Sequence, residues 1–218
     1  ILLNQFHDIL PGSSIAEVYD VTKGEYEALA AEVDNLIANL LTKLAGEGDG
    51  VTIFNTLGFE RNDVVKLGDV QATALRDENG TVYPVQQTAE GAVAYLAGIP
   101  SKGYKTLALA EAEAATPFVI EGGKLETPFY TIQVDENGHF TSIYDKAEDR
   151  EILKPGMKGN MLRLYEDKPM YYDNWDIDMY YVEKSWEVND LVSMNWVDVG
   201  AVRATLELVW NCSRSVIN

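Results

Sequence analysis

The chain has 218 residues, 46% of them apolar, with 35 acidic side chains against 17 basic ones and a net charge of −18. That length holds one or two domains with a real core. The acidity argues against nucleic acid or an anionic membrane as partner, because phosphate contacts need clustered Lys and Arg. Cys212 is the one cysteine, so no internal disulfide forms and a reducing compartment is the easier reading. No run of about 18 apolar residues is present to span a membrane. The sequence starts at Ile1 without a methionine or signal peptide and stops just after a strand-like run, so both ends read as cut from a longer protein.

The first stretch, Leu3 to Ser14, places His7 beside Asp8 at the end of an apolar run. Pro11-Gly12 then breaks the chain, and Ser13-Ser14 are placed to cap a following helix. A neutral imidazole next to a carboxylate can ligate a divalent metal, and the carboxylate can bind a polar substrate or orient the ring. One histidine does not make a metal site, since zinc needs three or four ligands. On these residues alone the structural role of the pair is favoured.

From Ser14 to about Ala45 the spacing predicts a helix. Ile15, Val18, Tyr26, Leu29, Val33, Leu36, Ile37, Leu40, Leu41 and Leu44 recur at steps of three and four, with the carboxylates largely off that stripe. Gly24 weakens its middle, and Gly46, Gly48 and Gly50 end it. Such a stripe calls for partner helices and reads as bundle core.

Beyond Gly50 the rhythm changes to short extended runs. About six strands are expected, at Val51–Phe54, Asn62–Leu67, Val70–Leu75, Thr81–Gln86, Ala92–Leu96 and Tyr104–Ala110. The Asn-Gly of 77–80 makes a turn, and the spacing fits a small antiparallel sandwich. Glu111–Ala115 reads as an acidic linker. The third region opens with a long extended run, Leu125–Val134, a hairpin turn at Asp135–Gly138, and a return strand at Phe140–Tyr144. His139 beside that turn is expected to be exposed, while Trp186, Trp196 and Trp210 read as core. Asn160–Tyr165 reads as a further strand.

Residues 166–178 do not look like a strand: Tyr171, Tyr172, Asp173, Trp175, Asp176 and Asp178 gather aromatics and carboxylates in one loop. Aromatic faces beside Asp suit sugar rings, and the same composition suits an interdomain contact; composition alone favours the contact slightly.

Together these blocks resemble a family. Asn4-Gln5-Phe6-His7-Asp8-Ile9-Leu10-Pro11-Gly12-Ser13-Ser14 resembles the signature of the α-mannosidases of glycoside hydrolase family 38. Phe54–Arg61, Ile99–Tyr104, Tyr144-Asp145-Lys146 with Arg150-Glu151, Glu166–Pro169 and Trp175–Asp178 follow in the expected order. The similarity is to the bacterial and cytosolic branch, which implies a cytoplasmic, bacterial protein.

The resemblance implies an α+β, mainly β chain: residues 1–48 as the end of a helical-bundle middle domain, 49–115 as a small antiparallel β domain, and 116–218 as the start of a large C-terminal β-sandwich. The β/α barrel of the family is absent, and with it the nucleophile and the acid/base carboxylate; residues 1–218 hold no catalytic residue. By the same resemblance His7 matches a ligand of a single zinc ion whose other ligands lie on the barrel. Asp8 matches a carboxylate that binds substrate hydroxyls, and Trp175 with Asp176 would approach the mouth of the pocket. The implied activity is zinc-dependent retaining hydrolysis of terminal α-mannosides, with a mannose-containing oligosaccharide as partner and homo-oligomerisation open. The other reading is a non-catalytic β-sandwich module that binds carbohydrate or a partner subunit. The 218 residues alone are expected to lack glycosidase activity and to bind zinc weakly.

Overall fold

The computed structural model describes residues 1–218. The chain is mainly β, with antiparallel sheets and one α-helix near its N-terminus. It packs as two compact units: Ile1–Gly48 with Leu164–Trp186, and Asp49–Arg163 with Glu187–Asn218. Residues 164–186 therefore leave the β-rich unit and return to it, an excursion that sequence reading leaves inside one continuous domain.

In the first unit a short 3-10 turn at Leu3–Gln5 precedes α1, Ala16–Ala45. The helix lies where the apolar periodicity puts it, with Glu17 in the first turn and Lys43 in the last complementing its dipole. Gly46 ends it at φ +71°, donating its N–H to the Thr42 carbonyl. The N-terminus differs from expectation. Ile15 occupies the cap position with no side-chain hydrogen bond; ahead of it the Ser13 hydroxyl donates to the Asp8 carboxylate and the Ser14 backbone N–H donates to the Tyr19 hydroxyl. The stripe residues Tyr26, Val33, Leu36, Ile37, Leu40 and Leu44 are exposed along the helix.

The second unit starts with β1 (Val51–Asn55), β2 (Arg61–Gly68), β3 (Ala74–Arg76), β4 (Val82–Thr88), β5 (Gly91–Ile99) and β6 (Gly103–Ala110). They form one sheet in the order β1-β6-β3-β4-β5-β2. Every strand sends side chains into a single core: Val51 and Ile53, Val65 and Leu67, Leu75, Tyr83 and Val85, Ala94, Leu96 and Ile99, and Leu107. The sheet therefore wraps around its own apolar face. Five of the six expected strands form over nearly their full predicted length; the run from Val70 is extended only over Ala74–Arg76.

The β3–β4 turn is built by Asp77. Its Oδ1 accepts the N–H groups of Asn79 and Thr81, and Gly80 takes φ +83°. Its Oδ2 accepts the Tyr83 hydroxyl at 3.0 Å and lies 3.3 Å from Lys105 Nζ. Burial works against the charge, but these donors hold the Asp77 carboxyl below the usual carboxylate range.

After the 111–115 linker come β7 (Val119–Glu121), β8 (Lys124–Glu126), β9 (Tyr130–Val134), β10 (Phe140–Asp145) and β11 (Arg150–Glu151), an antiparallel meander. The long run expected over 125–134 is thus two strands, β8 pairing back on β9. Pro128 has no N–H to give a ladder, and the Thr127 hydroxyl instead accepts the N–H groups of Phe129 and Tyr130 to turn the chain. Strands β12 (Arg163–Tyr165) and β13 (Ser185–Glu187) pair together, and β14 (Asp190–Val199), β15 (Ala204–Cys212) and β16 (Ser215–Ile217) make a three-stranded sheet.

Trp210 is core as expected, packed with Val188, Cys212, Leu162, Leu191, Leu208 and Ile217. Trp196 is half-buried. Trp186 is not core: it is exposed on the two-stranded pair, where the Lys184 ammonium lies 5.2 Å from its ring centre. His139 departs furthest from expectation, being 4% exposed. The turn beside it is drawn inward, because the Trp210 indole donates to the Asn137 carbonyl at 3.0 Å and Asn160 donates to that of Gly138. Only glycine fits at 138, where φ is +79° and an added Cβ would stand 2.7 Å from the Trp210 ring.

One side chain ties the six-stranded sheet to the β14–β15 turn. Gln86 on β4 accepts the N–H groups of Val202 and Arg203 on Oε1, at 3.0 and 2.9 Å, and donates from Nε2 to the Arg203 carbonyl at 3.1 Å. Gly200 makes room for it: a Cβ there would lie 2.3 Å from the Gln86 amide carbon.

Candidate functional site

Elementary turn chemistry shapes the first twelve residues. Asn4 is buried and donates its amide to the Glu25 carboxylate on α1 at 2.8 Å, which fixes the stretch against the helix. Tight turns follow, with Ile9 and Leu10 both donating to the Phe6 carbonyl, and Gly12 at φ +82°. These turns put His7 and Asp8 at the surface, their side chains 62% and 50% exposed.

Asp8 is held on several sides. Its carbonyl accepts the Ser13 N–H and the Tyr19 hydroxyl, each at 3.1 Å. Its carboxylate accepts the Ser13 hydroxyl on Oδ1, and Oδ2 lies 3.2 Å from His7 Nε2. The His7 ring is tilted against Phe6, 4.3 Å between centres. The Ser13 hydroxyl, expected to cap the helix, therefore serves the Asp8 carboxylate, and the Ser14 N–H holds the Tyr19 hydroxyl that donates to the Asp8 carbonyl.

The aromatic loop belongs to the same compact unit. Trp175 lies 6.4 Å from the His7 ring, centre to centre, and Asn174 donates its side-chain amide to the Gly12 carbonyl at 3.2 Å. Tyr172, at φ +55°, offers its carbonyl to the N–H groups of Trp175 and Asp176, at 2.7 and 2.9 Å, and so forms the tip. The Asp178 carboxylate accepts the Met170 N–H. At the base, Lys184 and Lys168 both donate to Glu166, each at 2.9 Å, and hold its carboxyl below the ordinary range.

Of the residues singled out from sequence, His7, Asp8 and Trp175 are brought together. Asp176 stands next to Trp175 and is exposed. Sequence reasoning missed Asn4, Tyr19 and Asn174, which position the others. Nothing in their spacing marks them: Asn4 meets a helix residue 21 positions on, and Asn174 meets a carbonyl 162 positions away.

An exposed imidazole beside an oriented carboxylate can give one nitrogen to a metal and accept hydrogen bonds from hydroxyl groups. No group of three or more His, Cys, Asp or Glu side chains in the chain is gathered to hold a metal ion. The pair at 7–8 by itself supplies two donors at most, His7 and Asp8, fewer than the three or four a zinc ion takes from protein.

Two family models match the chain: the alpha mannosidase middle domain over residues 1–44 and the glycosyl hydrolases family 38 C-terminal domain over residues 125–218. Similar curated proteins include Alpha-mannosidase 2C1 of Homo sapiens, 27% identical over 186 residues, and Alpha-mannosidase 2C1 of Mus musculus, 29% identical over 202 residues. Each of these alignments covers 84% of this chain and 17% of the relative. Alpha-mannosidase G of Dictyostelium discoideum is 22% identical over 236 residues, covering 84% of this chain and 21% of that protein. The chain spans about a fifth of the length of the curated relatives it matches. With the middle-domain match on the helical unit's His7 stretch and the C-terminal-domain match on the later β-strands, the chain carries middle-domain and C-terminal-domain segments of the family 38 glycosyl hydrolases.

Proposed function

We propose that this chain is the part of a zinc-dependent, retaining α-mannosidase that contributes His7 to the metal and Asp8 to the substrate, in the bacterial and cytosolic branch of the family. The observation that carries the reading is the exposed His7–Asp8 pair, fixed from below by Ser13, Tyr19 and Asn4 and flanked by Trp175. The exposure of both side chains supports the reading, because it leaves them open to a metal or substrate from outside the chain, and the supporting hydrogen bonds fix their orientation.

Zinc, when bound, would polarise sugar hydroxyls as a Lewis acid. The remaining ligands and the two reacting carboxylates would come from residues beyond these 218. Within the chain, Asp8 would accept charge-assisted hydrogen bonds from mannosyl hydroxyls, stronger where the ring carries developing positive charge. Trp175 would offer an apolar face to the C–H side of a sugar, and Asp176 an acceptor beside it.

The test is α-mannoside hydrolysis by the full-length enzyme, with metal content measured in parallel. His7→Ala is expected to lose zinc and most activity with the fold intact. Asp8→Asn should keep zinc while kcat/KM falls about 10–100-fold, the worth of a hydrogen bond to a charged group. Full activity and full zinc in His7→Ala would make the pair structural and end the proposal.

A further inference from the structure

A second site is built wholly from residues of the β-rich unit, none of them from the unit that carries His7. Asn137, His139, Lys158, Arg163, Glu187 and Asn189 line a cavity of about 380 Å³, with Met157 and Met161 as its apolar wall. That volume is in the range of small-molecule pockets.

The polar groups are set in advance. Lys158 is anchored on Asp135 at 2.6 Å, and Arg163 on Glu187 at 2.8 Å. Burial opposes the Asp135 charge, but Lys158 and the N–H groups of His139 and Asn137 bring its carboxyl down to about 2. The Arg163 guanidinium and Asn189 hold Glu187 below the ordinary range. His139 stands between them as a wall residue, nine-tenths and more buried. Its Nδ1 has no hydrogen-bond partner and lies 3.6 Å from Asp135 Oδ2. A buried ring nitrogen left short of a partner calls for an explanation, and a polar ligand or ordered water in the adjoining cavity supplies one.

The chemistry of the lining selects the ligand class. Each cation of the lining is already paired, Lys158 with Asp135 outside the lining and Arg163 with Glu187, so little charge is left to attract an anion, and the protein's overall charge of −18 repels one. What remains is a dense set of fixed donors and acceptors beside a thioether wall. We propose that this cavity binds a neutral polyhydroxylated ligand of monosaccharide size, its hydroxyls meeting Lys158, Asn189 and Glu187 and its C–H face meeting Met157 and Met161. The site is separate from the His7 reading and stands or falls without it.

Trp210 provides the reporter, because its indole N–H donates to the carbonyl of the lining residue Asn137. The 218-residue protein is titrated with methyl α-mannoside while the indole N–H resonances are followed by NMR. Saturable movement of the Trp210 signal is expected, with a dissociation constant in the millimolar range. Acetate and phosphate are expected to leave Trp210 unchanged. Met157→Trp, at an exposed position on the rim, should fill the cavity and weaken binding about tenfold or more while the other indole signals stay in place. Lys158→Gln should weaken it in the same direction. A Trp210 signal that does not move with the sugar, that moves equally in Met157→Trp, or that answers to acetate or phosphate instead would overturn the proposal.

Discussion

Replacing Gln86 by alanine removes three hydrogen bonds in one step and leaves two N–H groups and a carbonyl of the β14–β15 turn to find other partners. Each such bond contributes about 1 kcal/mol net, and a partly buried group left unpaired costs more, so the loss should be about 2–4 kcal/mol. In a unit of this size that lowers the melting temperature by about 5–15 °C. Urea and thermal unfolding of the purified chain measure it. Gln86→Glu keeps the acceptor and loses the donor, so it should cost at least about 1 kcal/mol, with the Arg203 carbonyl facing an anion. Gly200→Ala supplies an internal check. It should be damaging in the wild type, where the new methyl strikes the amide, and close to neutral once the amide is gone, a coupling of about 1 kcal/mol or more. A Gln86→Ala loss under about 0.5 kcal/mol, or strictly additive effects of the two changes, would refute the account of this contact.

Three further outcomes are expected. Gly138→Ala meets both a positive φ and the Trp210 ring, and should cost about 2–4 kcal/mol with an altered near-ultraviolet Trp signal. Asp135 has its folded pKa depressed to about 2 from an ordinary 3.8. Its stabilisation is therefore present above pH 4 and lost as the pH falls toward 2; Asp135→Asn should remove on the order of 2 kcal/mol at neutral pH and flatten that acid limb of the stability curve. Asn55 donates to the carbonyls of Phe59, Ile99 and Pro100 and accepts the Leu57 N–H. Asn55→Leu should cost about 2–4 kcal/mol and raise hydrogen exchange at residues 56–60.

Local codes were legible and long-range partners were not. The apolar period of α1, the Asp-Glu-Asn-Gly turns at 77–80 and 135–138, and the alternation of β2 and β4–β6 each act over a few residues, so the sequence carries them openly. The break at Pro128 is equally local, but the extended character of the residues on both sides masks it in a long run. His139 could not be placed the same way. Its burial depends on Trp210, 71 positions later, whose indole pulls the turn inward. Trp186 shows the reverse: an aromatic in an alternating run, left exposed because its strand pairs with one neighbour only. At the candidate site, His7 and Asp8 were visible as a motif, whereas the meeting of Gly12 with Asn174 needed the folded chain. Ser13 and Ser14 have the composition of helix caps, but the helix begins one residue later, with Ile15 at the cap position and the Ser13 hydroxyl given to the Asp8 carboxylate.

The excursion of residues 164–186 starts on β12 and ends on β13, which are hydrogen-bonded to each other. Its two ends are therefore already side by side, closed further by the Glu166 N–H to Lys184 carbonyl bond and the Glu166–Lys184 ion pair. A loop whose ends are fixed together contributes little to the register of the strands that carry it, and lengthening it costs only a slowly growing closure entropy. The segment bearing Trp175 is thus a cassette. It can be exchanged, extended or trimmed between Glu166 and Lys184 while the β14–β16 sheet keeps its pairing, so the surroundings of His7 can diversify without rebuilding the framework that holds them.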